Sequence, residues 1–140
     1  MKVKDHWFNS DFEDMGWHDS RLYSIVIPSE DFKLSLDIDY IFKWAKNDAE
    51  QKGFWVSPCE LLFFNVAGLK IDVDFQDNML LCISDIRRKN ERLTPNGKVI
   101  EWDFEIECDH GLILFSATGF EQRVRTQPVL SETQDLNENR

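Results

Sequence analysis

The chain has 140 residues, of which 42% are hydrophobic and 13% aromatic, and its formal net charge is −10. This length and apolar content predict one folded domain over residues 1–140 and exclude an intrinsically disordered chain. The negative charge argues against binding to nucleic acid or to an anionic membrane, because both repel it.

The cysteine pattern and the N-terminal residues indicate the cellular compartment. The first fourteen residues lack the continuous apolar core of a signal peptide, and no window is apolar enough for a membrane span. Cys59, Cys82 and Cys108 form neither a C-x-x-C motif nor a disulfide pattern. We therefore expect buried free thiols in a cytoplasmic protein.

The first half of the chain predicts an N-terminal arm followed by a β-hairpin. Residues 1–15 are polar with scattered aromatics and form the arm. Residues 23–27 alternate apolar and polar side chains, Pro28 begins a turn, and residues 32–42 alternate again. Two such runs at this spacing indicate paired antiparallel strands.

The next strand predicted, residues 54–66, has two special features. Pro58 indicates a sheet edge or a bulge, because proline has no N–H to donate to a neighbour. The run that follows is apolar on both faces, so it must be covered on both sides by the arm, a loop or a second subunit. A homodimer is one way to cover it, through Leu61, Leu62, Phe63 and Phe64.

Residues 78–92 are ambiguous between a strand and a helix. We favour a strand, because the turn at Pro95–Gly97 then joins it to residues 98–108 as a hairpin. A helix near 78–92 would instead make the protein α+β.

Residues 99–124 carry the clearest pattern: apolar and acidic side chains alternate up to Cys108, Asp109-His110-Gly111 supplies a turn, and a second apolar run follows. A polar tail, residues 126–140, ends the chain. About seven strands with turns between them predict an all-β fold, a mostly antiparallel sandwich or partly open barrel.

Acidic strand faces are the most unusual feature of the chain. They are a solvated surface neutralised by basic neighbours, a surface that binds a basic protein partner, or a divalent cation site. The absence of a D-x-D-x-D-G loop argues against a metal, and no motif calls for a cofactor. The candidate partner-binding residues are Asp37, Asp39, Asp72, Asp74, Glu101, Asp103, Glu105 and Glu107.

His18 and Asp19 form a second candidate, a polar site. An adjacent His-Asp pair has the residue types that a general base needs. Neighbouring residues on a strand point to opposite faces, however, so we do not expect a catalytic dyad here. A structural role for His18 is the simpler interpretation, with an enzyme as the competing one.

Two patterns carry a resemblance to a family. W-H-D-x-x-x-Y at Trp17–Tyr23 and F-x-A-T-G-F at Phe115–Phe120 resemble an uncharacterised set of small bacterial proteins. In size, acidity and domain type the chain is similar to immunity proteins that neutralise toxins. The likeness to immunity proteins implies a binding protein with a toxin as its partner, and the acidic strand faces would suit a basic, nuclease-type toxin.

The sequence therefore favours a binding protein that presents acidic strand faces to a basic partner. The alternatives are a β-barrel whose many aromatics line a cavity for a small apolar ligand, and a structural, dimeric domain.

Overall fold

The computed structural model describes residues 1–45, 52–76 and 79–140. Ten strands lie within these residues, three more than the roughly seven predicted. Two short 3₁₀ helices, Asn9–Asp14 and Asn137–Asn139, accompany them. The strands are β1 (His6–Phe8), β2 (Ser20–Val26), β3 (Leu34–Trp44), β4 (Phe54–Phe64), β5 (Ala67–Val73), β6 (Cys82–Leu93), β7 (Ile100–Cys108), β8 (Gly111–Ala117), β9 (Gly119–Val124) and β10 (Val129–Ser131).

One open antiparallel sheet contains all ten strands, so the predicted all-β class is confirmed. Its order is β1-β9-β4-β3-β2-β6-β7-β8-β5, and β10 pairs with β4 beside β9. The predicted hairpin of β2 and β3 and the meander of β6, β7 and β8 are present. The alternative helix near 78–92 is wrong, because Cys82–Leu93 is a strand whose alternate side chains face the core and the solvent.

Pro58 lies in the middle of the sheet and not at its edge. The strand beyond it changes partner, since β10 pairs with β4 at residues 54–56 and β9 pairs with it from Cys59 onward. The Pro58 carbonyl accepts a hydrogen bond from the Arg125 N–H at this junction. Pro58 therefore occupies the gap between two partners, where its missing N–H interrupts neither ladder.

The sheet curls so that β4 packs across the core against β7 and β8. The ring centroid of Phe63 lies 5.1 Å from that of Phe104 and 4.7 Å from that of Phe115. Phe12 and Trp17 join the same cluster from the N-terminal segment. These aromatic side chains fill the centre by edge-to-face and stacked contacts, which rigid rings favour.

Both ends of the chain belong to this sheet. The predicted arm contains β1, which pairs with β9, and a 3₁₀ helix that buries Phe12. The predicted polar tail contains β10 and the buried Leu136. The charged connection between β3 and β4, residues 45–53, lies mostly outside the described residues.

The predicted strand 112–124 is broken at Thr118. β8 stays beside β7, whereas β9 crosses to pair with β4 and β1. The Asn9 side chain holds this corner, since its Oδ1 accepts a hydrogen bond from the Phe120 N–H at 3.0 Å. A Cβ at Gly119 would collide with the Asn9 side chain, so glycine permits this close approach.

Candidate functional site

On the outer face of β5, β8, β7 and β6, the charged side chains align in rows that run across the strands. Strand register places Asp72, Leu112, Glu107 and Asp85 side by side in the first row. The second row is Lys70, Leu114, Glu105 and Arg87, and the third is Ala67, Ser116, Asp103 and Lys89. The first row therefore has three carboxylates and no cation of its own, whereas cations balance the other two.

Beyond the first row, the acidic face of β7 is neutralised by β6. Glu105 contacts the Lys89 Nζ at 2.5 Å, and Arg92 bridges Glu101 at 3.2 Å and Asp103 at 3.0 Å. The Lys89 hydrogen bond lowers the pKa of Glu105, and bonds from Asn90 and then Arg92 lower that of Asp103. Glu101, Asp103 and Glu105 thus form an ion-pair ladder, as the solvated-face interpretation expected.

Loops bring further carboxylates to the first row. The Asp74 N–H bonds to the His110 carbonyl, and the Asp109 N–H bonds to that of Cys82. The Asp19 N–H bonds to the Ile83 carbonyl, which places the turn before β2 at the same end of the sheet. Asp135 lies near Cys82 together with Asp109 and Asp19. We call this set the acidic end; its seven carboxylates are Asp19, Asp72, Asp74, Asp85, Glu107, Asp109 and Asp135.

The cations that pair with the acidic end are few among the described residues. Arg87 contacts Asp85 at 3.1 Å and Glu107 at 3.5 Å, and Arg21 contacts Asp135 at 3.6 Å. The pKa of Cys82 is raised, first by burial and then by the negative charges of Asp109, Asp135 and Asp19 around it. Counted over the described residues, seven carboxylates against two arginines leave this end strongly negative.

Asp37 and Asp39 are not part of the acidic end. They lie on β3, where the last residues of the chain cover them. Arg140 contacts Asp37 at 2.6 Å and the fully buried Asp39 at 3.1 Å. The eight predicted partner-binding residues therefore divide into three places: the acidic end, the ladder and this covered site.

His18 and Asp19 do contact each other, contrary to the expectation from strand geometry. Both precede β2 in a turn, where Asp19 has a φ of 63°, and the His18 Nε2 lies 3.4 Å from the Asp19 Oδ2. The His18 Nδ1 faces the Ser84 carbonyl at 3.2 Å, and its ring stacks near Trp44. Gln134 donates a hydrogen bond to the same Asp19 oxygen. Each ring nitrogen of His18 therefore already has a neighbour within the chain.

The doubly apolar run of β4 is covered by the chain itself. Leu61, Leu62 and Phe63 are at most 7% exposed, and only Phe64 is half-buried. β3 and β9 flank this run on its two sides. These four side chains thus offer little apolar surface to a second copy.

A groove of about 250 Å³ lies beside β2, and its lining is mainly apolar. It includes Leu22, Ile25, Phe75 and Met79. It is smaller than most sites for organic ligands. Phe63, Phe104 and Phe115, which the small-ligand alternative would place around a cavity, instead contact one another in the core.

Two kinds of feature are not found in the part of the chain that the structure describes. No group of three histidine, cysteine or carboxylate side chains is arranged to hold a metal ion. None of its helices has the length and apolar character needed to cross a membrane. The three cysteines are free thiols.

Comparison with models of known protein families, with curated proteins and with solved structures found no match to this chain. The resemblance of the Trp17–Tyr23 and Phe115–Phe120 patterns to small bacterial proteins stays a prediction.

Proposed function

We propose that this protein is a non-enzymatic binding protein whose acidic end captures a basic protein partner. The observation that carries the proposal is the first row of the outer face, where Asp72, Glu107 and Asp85 lie together without a cation in the row. Asp85 and Glu107 are like charges on neighbouring strands that share Arg87, and Asp72 extends the row beyond Leu112. Crowding of like charges disfavours folding, so its presence at one end of the sheet favours a role in binding.

The acidic end also contains an apolar contact point. Leu112 lies between Asp72 and Glu107 in the register and is 39% exposed. An exposed leucine flanked by carboxylates can contact an apolar side chain of a partner whose surrounding surface is basic. The negative field would speed the encounter and disfavour acidic competitors. A basic, nuclease-type toxin belongs to this partner class, and the protein would act on it as an immunity-type inhibitor.

The test compares two double charge reversals of equal net charge. Asp72→Lys with Glu107→Lys alters the acidic end on both sides of Leu112. Glu30→Lys with Glu132→Lys is the control, because both residues are exposed and neither lies within ion-pair distance of a cation among the described residues. Circular dichroism and thermal melting establish that both variants fold.

Each tagged variant is used to capture proteins from the source cell at low and moderate salt, and the captured proteins are quantified. We expect a basic protein that the wild type and the control retain and that the acidic-end variant loses. Binding to that purified protein should weaken with salt, because exposed charges are screened. Equal retention by the two variants, or no protein that separates them, would contradict the proposal.

A further inference from the structure

The last seven residues of the chain form a strap across β2 and β3. Leu136 is 6% exposed and packs against Ile41 and Val56. The Leu136 N–H donates to Asp39 at 2.8 Å, and the Asn137 N–H donates to the Tyr23 hydroxyl at 3.1 Å. The strap comprises residues 134–140, and Arg140 is its last residue.

The guanidinium of Arg140 contacts two carboxylates at its edge and an aromatic ring at its face. Its Nη1 and Nη2 donate to the two Asp37 oxygens at 2.9 and 2.6 Å, and its Nε donates to Asp39 at 3.1 Å. Nη2 also donates to the Ile38 carbonyl, and the group lies 3.7 Å from the Tyr23 ring centroid. A planar fork against carboxylates and an aromatic face is a geometry that lysine cannot reproduce.

Arg140 occupies a pocket formed by Tyr23, Asp37 and Asp39. The paired strands of the sheet hold this pocket, whereas the strap that fills it has fewer buried contacts. Tyr23, Asp37 and Asp39 stand on two paired strands, and the Tyr23 hydroxyl donates to Asp39 at 2.5 Å without help from the strap. The strap contributes one buried apolar side chain, while Asn137, Glu138 and Asn139 are exposed. The strap is held mainly by the polar contacts of Arg140 and by few apolar ones, so it can open at a lower free energy than the sheet and leave a pocket that remains formed.

We propose that Tyr23, Asp37 and Asp39 form an arginine-recognition site that Arg140 occupies in cis and that an arginine of a peptide segment occupies in trans. The peptide that fits has an aliphatic residue four positions before its arginine, as Leu136 precedes Arg140. Vacating the pocket leaves the buried Asp39 without its cation, which favours occupancy by another one. Asp135 of the strap belongs to the acidic end, but Tyr23, Asp37 and Asp39 do not, and the proposal does not depend on the function proposed for the acidic end.

The test uses the full chain and a fluorescent synthetic peptide of residues 132–140. Fluorescence anisotropy measures its binding to the wild type and to Arg140→Ala. We expect Arg140→Ala to bind the peptide at least about tenfold more tightly, because the substitution empties the guanidinium site and leaves the variant's strap held mainly by Leu136, which the peptide can then displace. A peptide with lysine in place of arginine should bind weakly, and so should the variant Arg140→Ala/Asp37→Asn.

Equal binding by the wild type and Arg140→Ala, or equal binding of the arginine and lysine peptides, would overturn the proposal. If Arg140→Ala does not fold, Arg140→Lys keeps a cation in the pocket. Arg140→Lys should then bind the arginine peptide more tightly than the wild type does, and equal binding by these two proteins would overturn the proposal. Adding Asp72→Lys/Glu107→Lys to the Arg140 variant should leave peptide binding unchanged, so failure of this site is distinguishable from failure of the acidic end.

Discussion

The guanidinium of Arg88 lies 4.3 Å from the ring centroid of Phe12 and on the core side of β6. Trp102 flanks it at 4.5 Å, and its Nη2 donates a hydrogen bond to the Asn9 carbonyl. Burial lowers the pKa of Arg88, and Glu13 partly opposes this effect. A cation between two rings thus attaches the first 3₁₀ helix to the sheet.

Arg88→Ala should therefore destabilise the protein by about 2–3 kcal/mol, through lost cation–π contacts and a cavity between the two rings. Urea unfolding followed by tryptophan fluorescence measures this. Arg92→Ala is the control, because Arg92 is an exposed member of the ladder and its loss should shift the midpoint much less. Equal midpoints for the two variants would show that Arg88 has no special role.

The local elements were predictable because they depend on neighbouring residues. Alternation at 99–108 and the turn at Pro95–Gly97 defined β7 and its hairpin with β6. The break at Thr118 was not predictable from pattern, since an Asn9 side chain 109 residues away holds the corner. The central position of Pro58 likewise depends on two strands that meet there from later in the chain.

The acidic end shows the same division. Asp72, Asp74 and Glu107 were recognised as acidic strand residues, but their convergence requires the register of β5, β8 and β7. Asp19, Asp85, Asp109 and Asp135 were missed as members of the set, because they lie in turns, the tail or an ambiguous segment. The pairing of Arg140 with Asp37 joins positions 103 residues apart, which no local pattern reports.

Gly111 and Gly119 should differ in their tolerance of alanine. A Cβ at Gly111 would collide with the Asp72 carbonyl oxygen on β5, which is backbone, whereas at Gly119 it would meet the end of the Asn9 side chain. A side chain can move aside more easily than a paired strand can. We expect Gly111→Ala to cost more than Gly119→Ala, each by an amount on the order of 1–3 kcal/mol. Thermal unfolding of the two variants gives the order, and the reverse order would refute the argument.

Replacing Arg140 should expose the cost of burying Asp39. Arg140→Ala leaves this fully buried carboxylate with the Tyr23 hydroxyl and the Leu136 N–H as its remaining donors among the described residues. We expect a loss of about 2–3 kcal/mol in the free energy of unfolding. Arg140→Lys keeps the charge without the fork and should lie between the alanine variant and the wild type.

A matched control for this comparison is Arg125→Ala. Arg125 also pairs with a carboxylate, Glu60 at 3.5 Å, but its side chain is 49% exposed. Its removal should change stability little. Equal losses for Arg140→Ala and Arg125→Ala in urea unfolding would mean that burial of Asp39 is not what makes Arg140 important.

The free energy of unfolding should decrease at acidic pH, because carboxylates that are paired in the folded state become protonated. The hydrogen bonds from Arg140 lower the pKa of Asp37, and those from Arg123 and then His6 lower that of Glu121. A folded pKa below the unfolded one adds stability above the unfolded value, which is lost as the pH drops through the folded value. The unfolded values are about 4, so we expect a plateau near neutral pH and a decline below about pH 4.

Asp37→Asn isolates the contribution of the strap to this decline. The asparagine does not titrate, so the variant should be less stable than the wild type at pH 7 and should lose less stability on acidification to about pH 3. Urea midpoints across this range measure both slopes. Asp31→Asn is a fitting control, because Asp31 is exposed and, within the described part of the chain, accepts only a local backbone hydrogen bond from Lys33. Parallel slopes for Asp37→Asn and the wild type would show that the bond between Asp37 and Arg140 does not form in solution.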